Sequence, residues 1–139
     1  MNETGFPIFA TKNPKILCLK RTKRVTQIVS QERGSNVTVS LAVNAMRPSI
    51  PPFYIFPRKN ICSSFLDDAG PGSDGGAHES WWMTKPNLIK FVQYFIRNAN
   101  TSKDPATFLL LNNHLSHISA DTIDLANQKG RLMLSFPPH

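Results

Sequence analysis

From Thr107 to Leu134 the chain reads as an apolar strand, a capped helix and a second strand, and that order restricts the fold more than any other feature. Thr107 to Leu111 is a continuous, mostly apolar run, the mark of a strand buried on both faces as in a parallel sheet. Ser119 to Lys129 follows as a helix, with Ser119 as cap, Asp121 in the positive first turn and Gly130 as the stop. Leu132 to Leu134 is the returning strand before Phe136-Pro137-Pro138. Two strands joined through a helix imply a parallel pair with a right-handed crossover. The fold class is therefore α/β.

Upstream the pattern changes to short strands. Residues 15–19 and 25–29 are candidate strands on either side of a basic knot. Asn36 to Asn44 alternates, with Val37, Val39, Leu41 and Val43 on one face, so it reads as a half-buried strand with its valines inward. Arg47-Pro48 to Pro52 breaks the chain, and Phe53 to Phe56 is a further strand closed by Pro57. Antiparallel pairing of these neighbours is expected. Residues 67–80, rich in glycine and without periodicity, read as a loop. Thr84 then caps a helix with Pro86 in its first turn. Leu88, Phe91, Val92, Phe95 and Ile96 form its apolar face. That face reads as core rather than as a cofactor box.

The 139 residues suit one domain. Their 40% hydrophobic and 18% charged content is that of a globular chain rather than a disordered one. No apolar run approaches a membrane span, and the N-terminus does not read as a signal peptide. Cys18 and Cys62 sit in no motif and are expected to be free thiols. Without a secretory signal the sequons at Asn2, Asn36 and Asn100 carry no weight. The net charge of +7 is uneven: residues 1–60 hold ten Lys/Arg against Glu3 and Glu32. The natural polyanion for such a surface is nucleic acid, bound through counterion release at phosphates. The densest cluster is Lys20, Arg21, Lys23 and Arg24, readable as a phosphate-contacting edge, a nuclear localisation patch or a solvated basic loop.

Several stretches in one order resemble the DDE superfamily endonuclease domain of pogo/Tigger/Jerky-type transposases. They are Glu3-Thr4-Gly5-Phe6, Glu32-Arg33-Gly34 with Val37-Thr38-Val39, Ala42 to Ala45, and Pro51 to Pro57. Gly72-Ser73, Trp82-Met83-Thr84, Asn113-His114 with His117, and Phe136 to His139 complete the series. Singly each is weak; together they span nearly the whole chain. The resemblance implies a ribonuclease H-like mixed sheet, antiparallel strands followed by a parallel strand–helix–strand unit, incomplete at both ends. Residues 1–139 would be part of one such catalytic domain.

In that family three carboxylates hold two Mg²⁺ ions, which polarise the scissile phosphate and activate the attacking oxygen. Here Asn2 stands where the resemblance places the first carboxylate and Asn112 where it places the second. The third lies beyond the Pro-Pro-His motif in the family, and this chain ends at His139. An asparagine keeps a carbonyl ligand but loses the charge that a hard cation demands. Neither Glu3, which an extended strand points away from the Asn2 face, nor Asp121 and Asp124 on the second helix is expected to rebuild the site. His114 and His117 lack a third ligand, so loop histidines capping backbone groups are the simpler reading. Trp81 and Trp82 can stack on bases, although the simpler arrangement packs one beneath the Gly-rich loop and exposes the other.

The expected function is weak, sequence-independent DNA binding in the nucleus by a catalytically inactive domain without a cofactor. The alternative is an interaction module pairing its open sheet edges with an intact transposase, another partner or itself. A decayed fragment without a role stands as a third reading. The family's first strand precedes the Asn2 position, so exposed edges and loose packing are also expected.

Overall fold

The computed structural model describes residues 1–8, 20, 36–45, 49–99, 107–112 and 119–137. Strands β1 (Asn2–Pro7), β2 (Asn36–Leu41), β3 (Phe53–Phe56) and β4 (Asp74–Ala77) form one sheet in that order. The first two pairings are antiparallel, with Asn2 opposite Leu41 and Ser40 opposite Phe53; β3 and β4 run parallel. Helix α1 (Lys85–Asn98) follows, then strand β5 (Thr107–Leu111), helix α2 (Ala120–Gln128) and strand β6 (Arg131–Ser135). Strands β5 and β6 pair in parallel as a separate two-stranded sheet. The chain is thus a mixed α/β protein. Its six described strands lie in two sheets rather than the single mixed sheet expected from the sequence.

Each helix begins where its sequence signals say. Thr84 and Ser119 adopt the extended backbone of N-caps, without side-chain capping bonds, and Gly130 ends α2 with φ of 70°. Leu88, Phe91, Val92 and Phe95 are buried along α1 together with Asn87 and Tyr94. This helix ties the two sheets into one core: Phe53 and Ile55 on β3, Leu109 and Leu111 on β5, and Ala126 on α2 share its cluster. The Phe53 ring meets Phe91 edge-on at 5.7 Å and Tyr94 at 5.6 Å.

Strand β2 follows its apolar pattern only in part. Val39 is buried and Val37 half-buried, but Leu41 and Val43 are exposed, and on the other face Thr38, Ser40 and Ala42 are buried. Residues directly opposite in a sheet share a face, so Thr38 and Ser40 lie beside Ile55 and Phe53. Those two large side chains fill the layer against α1, and small neighbours on β2 complete it. Val37, on the other face, lines a shallow depression with Tyr54, Phe56 and Phe65, the last from a 3-10 turn at Ser63–Leu66. The Ser40 and Thr122 hydroxyls are buried without partners among the described residues, each at a cost of about 1–3 kcal/mol.

Two further expectations are corrected. The stretch read as a loop contains β4, and its glycines are required by close packing. A Cβ on Gly76 would collide with the Asn87 side chain of α1, and one on Gly75 would lie 2.7 Å from the Tyr54 carbonyl. Strand β5 is buried on one face only: Leu109 and Leu111 face the core, while Phe108 and Leu110 are 58% and 47% exposed. Across β6, Leu132 and Leu134 pair with them and are exposed too. Among the described residues nothing covers the outer face of this small sheet, which is an apolar surface. Candidate strands 15–19 and 25–29 lie outside the described residues.

The Tyr94 hydroxyl shares its one proton between the Pro51 and Gly72 carbonyls, each at 2.9 Å, fastening α1 to the segments that enter β3 and β4. Removing it in Tyr94→Phe is expected to cost about 1–2 kcal/mol, read as a lower urea midpoint. Burial, then the Asp74 charge, push the Tyr94 pKa above its ordinary value. The fold thus favours the neutral phenol, and its contribution is lost as pH rises from about 10 through the raised pKa. Tyr94→Phe should lack that alkaline loss. An unchanged midpoint would remove Tyr94 from the fastening role.

Candidate nucleic-acid interface

Of the four basic candidates, Lys20 is described and exposed; Arg21, Lys23 and Arg24 lie outside the described residues. Arg58 and Lys59, just after β3, add exposed cations from the same basic half of the chain. Arg58 donates to the Pro57 carbonyl at 3.0 Å. Arg97 is engaged by Asp74 at 2.8 Å in an exposed pair, worth at most about 1 kcal/mol.

Asn2 and Asn112 are both exposed. The segments that carry them meet. Met1, beside Asn2, donates its ammonium to the Leu110 carbonyl at 2.7 Å, two residues before Asn112. Partial burial of this ammonium lowers its pKa. The two asparagines thus stand at the start of β1 and just beyond β5, where these strands touch. Glu3 is half-buried on β1, and Asp121 and Asp124 are exposed on α2. Among the described residues no group of three or more His, Cys, Asp or Glu is placed to hold a metal ion. His114 and His117 lie outside the described residues.

Trp81 is half-buried with a positive φ of 53°, and Trp82 is 57% exposed. Their rings sit 6.3 Å apart, so the exposed ring of Trp82 offers an aromatic face to solvent. The Cys62 thiol is exposed and 3.1 Å from the Ser64 hydroxyl, whose hydrogen bonding lowers its pKa. No helix among the described residues is long and apolar enough to cross a membrane.

One concavity went unsignalled in the sequence. It is a groove of about 590 Å³ between the two sheets, walled by Ala42 to Ala45 after β2 and by Thr107 to Leu110 of β5, with Phe95 and Ala99 of α1 also lining it. The groove arises because the two sheets face each other across a gap, which is a property of topology rather than of any short segment. No protein-family model, curated protein or solved structure matches the chain.

Proposed function

We propose that the chain is a DNA-binding domain that does not cut, a degenerate relative of the ribonuclease H-like catalytic domain of pogo/Tigger/Jerky-type transposases, acting in the nucleus. The observation that carries the binding is charge: ten Lys/Arg against two acids in residues 1–60, with Lys20, Arg21, Lys23 and Arg24 as the phosphate-contacting core. Such contacts are sequence-independent, because phosphates carry no base information. Supporting the fold assignment are the antiparallel β1–β2–β3 run, the parallel β5–α2–β6 unit, and the contact of β1 with β5 through Met1.

The residues present do not fit a two-Mg²⁺ site. Asn2 and Asn112 offer neutral amide carbonyls where the resemblance puts carboxylates, and Mg²⁺ exchanges its water for anionic oxygens. No cleavage step is therefore assigned to this chain. Incubation with supercoiled plasmid in Mg²⁺ or Mn²⁺ should retard the plasmid without nicking it. Metal-dependent nicking that disappears in the Asn2→Ala, Asn112→Ala double variant would contradict the proposal.

A further inference from the structure

One end of the four-stranded sheet gathers an exposed indole and several cations. Strands β1, β3 and β4 run in one direction and β2 against them, so Pro7, Asn36, Phe56 and Ala77 all lie at that end. The chain leaves the sheet there at Pro7 and rejoins it at Asn36, and the segment between carries Lys20, Arg21, Lys23 and Arg24. Arg58 and His78 sit side by side, because both donate their backbone N–H to the Phe56 carbonyl, at 2.8 and 3.0 Å. Lys85 opens α1, whose first turn is tied to the same end by the Asn87 amide, donating to the Ala77 carbonyl at 3.3 Å. Arg58, Lys59 and Lys85 are exposed, as is Glu79, an acid of the adjoining loop.

That loop, from His78 to Trp82, is held by its own bonds. Trp81 donates its N–H to the His78 carbonyl at 2.9 Å, and its φ of 53° is a left-handed backbone that bulky side chains rarely adopt. The Trp81 ring is half-buried, while the Trp82 ring, 6.3 Å from it, is 57% exposed. A strained turn thus stands beside an indole that stays in solvent. The Ser80 N–H donates to His78 Nδ1 at 3.2 Å, and the Ser80 hydroxyl lies 2.6 Å from the same nitrogen. A ring nitrogen that accepts a backbone N–H carries no proton, so the neutral imidazole holds its proton on Nε2. His78 is exposed and therefore offers an N–H donor in the midst of the cations.

We propose that this end of the sheet binds single-stranded DNA. An unpaired base stacks on Trp82, and Arg58, Lys59, Lys85 and the His78 Nε2–H hold the flanking phosphates. The proposal rests on the DNA binding proposed for the chain and names the strand state that this surface takes. Every base has a π-face, but a duplex hides it between neighbouring pairs, so an exposed indole rewards only an unpaired base. A purely apolar partner would use the ring and leave the cations without anions; a DNA strand uses both. Neighbouring strands of a sheet lie about 4.8 Å apart, so β1 to β4 spans roughly 14 Å. At about 3.4 Å per stacked nucleotide that is room for about four, the low end of single-strand site sizes. The strand would then continue onto the basic segment that leaves and rejoins the sheet at the same end.

The probes are an oligothymidine of about 12 nucleotides, an abasic strand of the same length and a duplex, each titrated into the full chain at low salt. Oligothymidine is expected to quench the tryptophan fluorescence, and the abasic strand, which has the phosphates but no bases, to leave it unchanged. Trp82→Ala should weaken oligothymidine binding by about 5- to 150-fold, the range for one stacked base. It should leave duplex affinity as it was, and Trp82→Phe, which keeps an aromatic face, should restore most of the loss. In the parent chain the abasic strand should bind about as weakly as oligothymidine binds Trp82→Ala, a comparison that needs no variant to fold. Three results overturn the proposal while leaving DNA binding in place: oligothymidine affinity indifferent to Trp82→Ala, an equal loss on duplex, or equal parental affinity for the abasic strand and oligothymidine. Binding of neither single strand nor duplex would remove both readings together.

Discussion

Phe53→Ala is expected to destabilise the protein by about 3–5 kcal/mol, a large share of the roughly 5–15 kcal/mol that holds a folded domain together. The Phe53 side chain is 1% exposed and stands where β3 meets α1, in ring contact with both Phe91 and Tyr94. Its neighbours within the sheet are Ser40 on one side and Asp74 on the other. Neither has apolar bulk to move into the space that truncation would leave. The cavity would therefore persist, and its cost adds to the lost burial. By contrast Phe108→Ala, at a side chain 58% exposed on the outer face of β5, should change stability by less than about 0.5 kcal/mol. Urea unfolding of the two variants followed by near-ultraviolet circular dichroism separates them. Equal midpoints would show that the β3–α1 layer is not the core.

Sequence patterns located the helices well because caps and a 3.6-residue apolar stripe are local signals. Thr84, Pro86, Ser119 and Gly130 each mark an end without reference to the rest of the chain. The strands were less legible because burial in a sheet is decided by neighbours. In β2 the alternation was visible, but not that its centre is covered on both faces: Val39 is buried as the pattern implies, and the large residues of β3 bury Thr38 and Ser40 as well. In β4 the glycines that suggest a loop are there to admit Tyr54 and Asn87. In β5 an uninterrupted apolar run looked two-sided, yet nothing among the described residues covers Phe108 and Leu110. Of the candidate site, the charge asymmetry was readable directly, whereas Asn2 and Asn112 were singled out by the resemblance alone. That the segments bearing Asn2 and Asn112 meet through Met1 and Leu110 was not, since 109 residues separate the partners of that bond.

Replacing Lys20, Arg21, Lys23 and Arg24 together by alanine is expected to remove most of the affinity for duplex DNA. Each engaged phosphate releases about 0.9 condensed counterion, so four contacts give a log–log slope against salt of roughly −3.6. A slope of that size corresponds to about a 150-fold loss of affinity between 50 and 200 mM salt. Each single alanine variant should flatten the slope by about one unit, with no change in sequence preference. The quadruple variant should bind weakly at all salt concentrations and show a nearly flat dependence, while its urea midpoint stays close to that of the parent. A parental slope that survives all four substitutions would move the contact surface elsewhere, with Arg58 and Lys59 the next residues to change.

The measurement that bears most directly on DNA binding as the function is the salt dependence of the unmodified chain on duplexes of random sequence. Fluorescence anisotropy from 50 to 200 mM salt gives both the slope and the spread between sequences. A slope between about −3 and −4, with affinities differing little from one duplex to another, is the predicted result. Binding indifferent to salt, or selection of one sequence by more than about a thousandfold over the rest, the range of specific recognition, would contradict it.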